Sequence, residues 1–308
     1  MRRVLALMAL VVALAACQKE QEQMDVVVGG EVDMIVNVNA PSSTRTGSEK
    51  GIFESGILNG DATMRYILQV FYIDENNATH KTEPQIKYDD NSSVAFNVRL
   101  TPNRDYTFVV WADVVDTKDD EGNYVDKHYN TNDLTNITII NNTWGAMDET
   151  RDAFTATQLV KEFTSSSIIN LHLHRPNAKL RVKTTDWGTT ANMPTKANVT
   201  YTTAHRTAFN AYTGKAKDAD PSIIKTHEYT IANIYGESGA ERTLFSDYFF
   251  ASQQDDKVKF DMELLDGEGN TIKTLNFNTE ISVKCNHLTT IEGNLLSSGE
   301  GNNTVTEN

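Results

Sequence analysis

The chain has 308 residues, 39% of them hydrophobic, and its 28 lysines and arginines against 42 aspartates and glutamates leave a formal charge of −14. That apolar content is too high for a disordered chain, the acidic balance argues against a nucleic-acid partner, and two cysteines cannot staple a small disulfide scaffold. At roughly 150 residues per domain the length predicts two domains, each able to bury its own core.

The first signal is N-terminal. Arg2 and Arg3 precede an uninterrupted apolar run, Val4 to Ala16. It falls short of the roughly 20 residues a membrane-spanning helix needs and has the make-up of a signal-peptide h-region. The run ends in Leu14-Ala15-Ala16-Cys17, which resembles the bacterial lipobox. The resemblance implies removal of residues 1–16 and acylation of Cys17, the predicted lipid-attachment residue. Several acyl chains, at about 0.8 kcal/mol per buried methylene, hold a protein firmly to a bilayer. Residues 17–30 contain Q-K-E-Q-E-Q-M without a strand period, and are predicted to form a lipidated tether.

Alternation dominates the chain from Glu31 onward. Val32, Met34, Val36 and Val38 share one face of a predicted strand, with mostly polar residues on the other. Arg65 to Ile73 is apolar on both faces, as expected of a central strand. Val94, Phe96, Val98 and Leu100 alternate with other residues, Thr101 to Asp105 carries turn chemistry, and Tyr106 to Val115 resumes the pattern, which predicts a hairpin. The acidic stretches Asp116–Asn123 and Asp266–Asn270 lack the ligand spacing of a calcium loop and are predicted as hairpin turns. Only Asp148 to Val160 has partly helical character, weakened by its threonines.

Thr164 to Ser167 reads as a linker, and a second block of strands is expected to open near Ile168. Its later strands are expected at 178–185, 199–203, 228–235, 243–251, 257–265, 271–278 and 281–285. Cys285 falls on the apolar side of the last of these and is read as a small core residue. The resulting partition is a signal peptide over 1–16, a tether over 17–30, β-sandwiches over 31–166 and 167–298, and a disordered polar tail over 299–308.

Catalytic chemistry is not legible. There is no nucleophile elbow, phosphate loop or zinc-protease helix, so no catalytic, cofactor-binding or metal-binding residue is predicted, and the expected role is non-enzymatic. His172 and His174 fall on one side of a strand but lack a close third ligand. Trp111 is expected in the core. Trp144 and Trp187 lie beside glycines, where an aromatic platform for a sugar ring is the alternative to packing beneath a loop.

In order, the chain carries Thr44-Arg45-Thr46-Gly47 and then Leu171-His172-Leu173-His174-Arg175-Pro176-Asn177-Ala178-Lys179-Leu180. Phe209-Asn210 with Thr213-Gly214 and Asp247-Tyr248-Phe249-Phe250-Ala251 follow. The last is Asn286-His287-Leu288-Thr289-Thr290-Ile291-Glu292-Gly293-Asn294-Leu295-Leu296. With the lipobox, these resemble the fimbrillin-like lipoproteins of Bacteroidetes, in a branch catalogued only as a domain of unknown function. The resemblance implies an all-β fold of two tandem transthyretin-like β-sandwich domains and an outer-membrane, lipid-anchored, cell-surface location. It also implies assembly with other fimbrial subunits by strand exchange in pilus-forming members. There a protease cuts after an arginine that follows the first strand, and Arg45 is the matching candidate processing position. The expected function is therefore a fimbrial subunit, anchor or adhesin assembling by β-strand addition. The alternative is a glycan-binding surface lipoprotein.

Overall fold

The structure is a computed structural model, and it describes residues 30–41, 52–53, 58, 62–140, 145–219, 226–254, 256–297 and 303–307. The strands of the first half are β1 (Val32–Asn39), β2 (Thr63–Ile73), β3 (Thr79–Lys81), β4 (Gln85–Tyr88), β5 (Ser93–Leu100) and β6 (Arg104–Lys118). They continue with β7 (Tyr124–Asp126), β8 (Tyr129–Asn130), β9 (Ile137–Ile139), β10 (Ala153–Phe163) and β11 (Ser167–His172). The second half holds β12 (Asn177–Thr184), β13 (Lys196–Tyr201), β14 (Ala208–Asn210), β15 (Lys215–Ala216) and β16 (Thr226–Thr230). It closes with β17 (Arg242–Phe250), β18 (Asp256–Leu265), β19 (Thr271–Val283), β20 (Leu288–Gly293) and β21 (Asn303–Glu307). The fold is all-β.

The sheets form in pairs because strands such as β1 and β5 bury one apolar face each. A three-stranded sheet in the order β11-β1-β5 faces a six-stranded sheet with the path β10-β6-β2-β3, to which β4 and β7 are attached. Between them lie Met34, Val36 and Val38 of β1, Phe96 of β5, Tyr66 of β2, Phe108 of β6 and Phe154 of β10. In the second half the sheets β17-β12-β20-β21 and β16-β13-β18-β19 enclose a core that includes Leu180, Val199, Tyr201, Phe245 and Phe260.

A small sheet ordered β15-β14-β9-β8 joins the halves, since β9 comes from the first and β14 from the second. Its core packs Trp111, Tyr129, Phe209 and Phe250 together, with Phe209 and Phe250 ring centroids 5.6 Å apart. Trp111, expected in a core, is fully buried here.

Four expectations are corrected. β5 and β6 do not form a hairpin: β5 pairs with β1, and β6 pairs with β2, β7 and β10. Asn103, at φ 63°, turns the chain across the core, so the apolar faces of both strands meet inside it. Thr164–Ser167 is not the junction between halves. β11 runs parallel to β1 and places Leu171 in the first core, and the crossing comes after Leu173, at Arg175-Pro176. The helical reading of 148–160 is replaced by a single 3-10 turn at Glu149–Arg151 followed by strand β10. The tail predicted as disordered over 299–308 contains β21, where Val305 pairs with Ile291 as an added edge strand. Its Thr-Val-Thr run is β-branched and suits that position.

The acidic loops are hairpin turns closed by their own carboxylates. Asp119 accepts from the Glu121 and Asn123 amides, and Asp266 from those of Glu268 and Asn270.

Because Phe250 links the two halves through one aromatic cluster, Phe250→Ala is expected to cost about 3–5 kcal/mol. Calorimetry should show the thermal transition splitting in two; an unshifted single transition would contradict this role.

Candidate functional site

The strand with the most to say about function is β1. It lies in the middle of its sheet, in register with β11 from Met34↔Ser167 to Asn39↔His172 and with β5 from Val32↔Leu100 to Asn39↔Ser93. Val36 and Val38 are completely buried and Met34 nearly so. Asn37 donates from Nδ2 to Asn170 Oδ1 at 2.9 Å, and Ser166 Oγ donates to the Asp33 carbonyl at 2.7 Å. Taking β1 away would leave a trough floored by the first core and lined by two rows of unpaired backbone groups.

The two flanks of that trough differ. The outer edge of β5 is capped by β4 side chains: Gln85 donates to the Asn97 carbonyl at 3.0 Å, and Lys87 to that of Ala95 at 2.6 Å. β11 carries no charged residue, and its Ile168 is 62% exposed beside Ile35 of β1, which is 39% exposed. Charges and caps of the β5 kind are common protection for sheet edges.

A buried polar junction fixes the halves. The turn at 149–151 inserts between them, with Arg151 only 2% exposed. Arg151 donates to Asp247 and to the carbonyls of Gly145 and Tyr248. Asp247, fully buried, also accepts from the Tyr201 hydroxyl at 2.9 Å. Lys179 Nζ meets Glu149 Oε2 at 2.8 Å, and the hydroxyls of Tyr235 and Tyr248 donate to the same carboxylate. Arg175 pairs with Asp152 at 2.6 Å and lies over the Phe154 ring.

Burial raises the Glu149 carboxyl, but Lys179 and the three hydrogen bonds outweigh it, so it sits below its ordinary value. Burial opposes the charge on Lys179 in turn, and the Glu149 carboxylate holds it well above its own. A buried pair that keeps both charges needs this degree of hydrogen bonding.

The motifs that carry the family resemblance meet at this junction. Arg175, Asn177 and Lys179, then Asp247 and Tyr248, then Asn286, which accepts from the Arg175 amide at 3.4 Å, are brought together from three parts of the sequence. Reading the sequence misses their partners, Glu149 to Asp152. The available signal was a dense D-E-T-R-D run in a segment read as marginal helix.

Of the other residues singled out, Cys17, Arg45 and Trp144 lie outside the described residues. Trp187 packs against the second core with the Arg242 guanidinium 4.9 Å from its ring, so that face is covered. His172 is exposed, while the backbone of His174 pairs with Thr155. Among the described residues no group of three or more His, Cys, Asp or Glu side chains is placed to hold a metal ion. No helix among them is long and apolar enough to cross a membrane. Cys285 is half-buried against the second core.

Residues 24–308 match a family described as a family of unknown function, DUF6562. The chain belongs to that family. Solved structures similar to it include a candidate cell adhesion protein of Bacteroides ovatus, at 14% identity and TM-score 0.47, covering 90% of this chain and 96% of that one. The fimbrial anchor protein Mfa2 from Porphyromonas gingivalis is similar at 11% identity and TM-score 0.41, over 90% and 97% of the two chains. A fimbrial assembly protein from Parabacteroides distasonis is similar at 10% identity and TM-score 0.40, over 90% and 99%. No curated protein matches the sequence.

The junction sets a pH dependence through His128, which is buried beside Thr150 and Asp148. Burial, chiefly, pushes its imidazole down to about 4 from 6.5. The unfolded chain therefore binds this proton first, and stability should fall as pH drops from about 6.5 to about 4, by on the order of 3 kcal/mol from this residue. His128→Asn should flatten that part of a stability-against-pH curve from urea unfolding; an unchanged slope would contradict the assignment.

Proposed function

We propose that this protein is a non-enzymatic lipoprotein of the outer membrane, held at the cell surface by acylated Cys17. In this reading it acts as a fimbrial subunit, anchor or adhesin and joins other proteins by β-strand addition. The single observation that carries the proposal is the place of β1, a strand near the start of the described chain that fills the centre of a sheet. Each of its three buried side chains is worth roughly 1.5–3 kcal/mol of burial. An incoming strand with the same alternation would recover that energy and pair both rows of backbone groups. The lipobox and the ordered motifs support the same reading.

Arg45 decides which role applies. It follows β1 in sequence, so a cut after it severs the body's covalent link to both β1 and the lipid. A subunit that polymerises requires that cut, whereas an anchor or standing adhesin must avoid it.

Mass spectrometry of the membrane-extracted protein should find an acylated N-terminal Cys17; any other mature N-terminus would count against the anchoring. Limited trypsin treatment near Arg45 should release the β1 segment and yield ladders that survive mild detergent. Replacing both Arg45 and the neighbouring Lys50 by Ala, since trypsin cuts after either, should suppress both. A cut body that stays monomeric would overturn strand addition.

A further inference from the structure

A second surface lies away from β1, at the tip of the six-stranded sheet, on the face opposite the first core. There the chain forms an open cleft of about 940 Å3. Its floor holds Ile73 and Leu159, which are 54% and 52% exposed, and Tyr212 lines it from the second half. The Tyr212 ring is braced by Phe71, with centroids 4.8 Å apart.

The rim is polar and mixed. Asn76 and Asn103 supply amides, Glu75 and Glu162 supply carboxylates, and Arg104 supplies a guanidinium. Two further rim carboxylates are already engaged. Asp74 accepts from the Asn76 and Ala78 amides, and Asp105 accepts from the Glu162 amide at 2.8 Å. Glu162 sits at φ 47° in the β10 bulge, and Asn103 at φ 63°. Bulges and left-handed non-glycine residues commonly re-aim side chains at binding sites.

We propose that this cleft binds a neutral oligosaccharide. A sugar ring has an apolar C–H face and a hydroxylated edge, which matches an aliphatic floor, a tyrosine wall and a rim holding both donors and acceptors. Charge narrows the class. Four carboxylates against one guanidinium repel sialylated or sulfated glycans. Conversely, the Arg104 guanidinium, 5.3 Å from the Tyr72 ring, repels the cationic side chains of a basic peptide. Neither Trp187 nor the strand-exchange trough takes part, so the inference stands apart from the proposed assembly mode.

The test is a microarray of neutral, sialylated and sulfated oligosaccharides together with a tetralysine peptide, probed with the detergent-extracted full chain. Neutral oligosaccharides should bind. Leu159→Ser, at an exposed position, should weaken binding of the best neutral probe about tenfold by calorimetry. Ile234→Ser, at an exposed position in the second half, should leave it unchanged. The proposal is overturned by an absence of neutral binders, by binding of only the charged probes, or by neutral binding that Leu159→Ser does not weaken.

Discussion

A backbone amide buried without a partner costs on the order of 1–3 kcal/mol, and this constraint governs how β1 can be treated. β1 pairs on both sides, so nothing else in the first half completes the sheet β11-β1-β5. A peripheral strand can be lost with little change to what remains, whereas a central one leaves two open edges and an exposed core. The proposed role depends on that difference. In that proposed role the same strand holds the domain together while present and would define a complementary site when absent.

The polar junction supplies the rigidity such a site needs. Arg151, Asp247, Glu149 and Lys179 are buried and mutually paired, and they tie the turn after β9 to β12 and β17. Breaking one member of such a network leaves a buried charge without its partner, which is costly, so the halves are held in one arrangement. The motif residues of the middle and end of the chain are therefore structural. They hold the two halves together.

The all-β class was legible because period-two alternation survives in strands such as β1, β5, β13 and β18. Pairing was less legible. Val94–Leu100 and Tyr106–Val115 look like a hairpin because alternation states which face is buried and not which strand lies alongside. β11 looked like the start of a second block for the same reason: Leu171 and Leu173 declare an apolar face, but only the tertiary structure shows whose core it enters. The turn at 149–151 escaped notice because its stability comes from partners about 30 to 100 residues away. The cleft at Tyr212 was invisible because residues from β2, β10 and the turn after β14 meet there only on folding. Cys17 and Arg45, by contrast, rest on short linear motifs and lie outside the described residues.

The most direct measurement of the central claim is uptake of a free strand. The body purified after loss of β1 should bind a synthetic peptide spanning residues 31–40 at one to one, and the same peptide with Val36→Asp should fail to bind. Failure of the native peptide to bind, or equal uptake of both, would contradict the claim that a register-specific, apolar-faced strand fills that sheet.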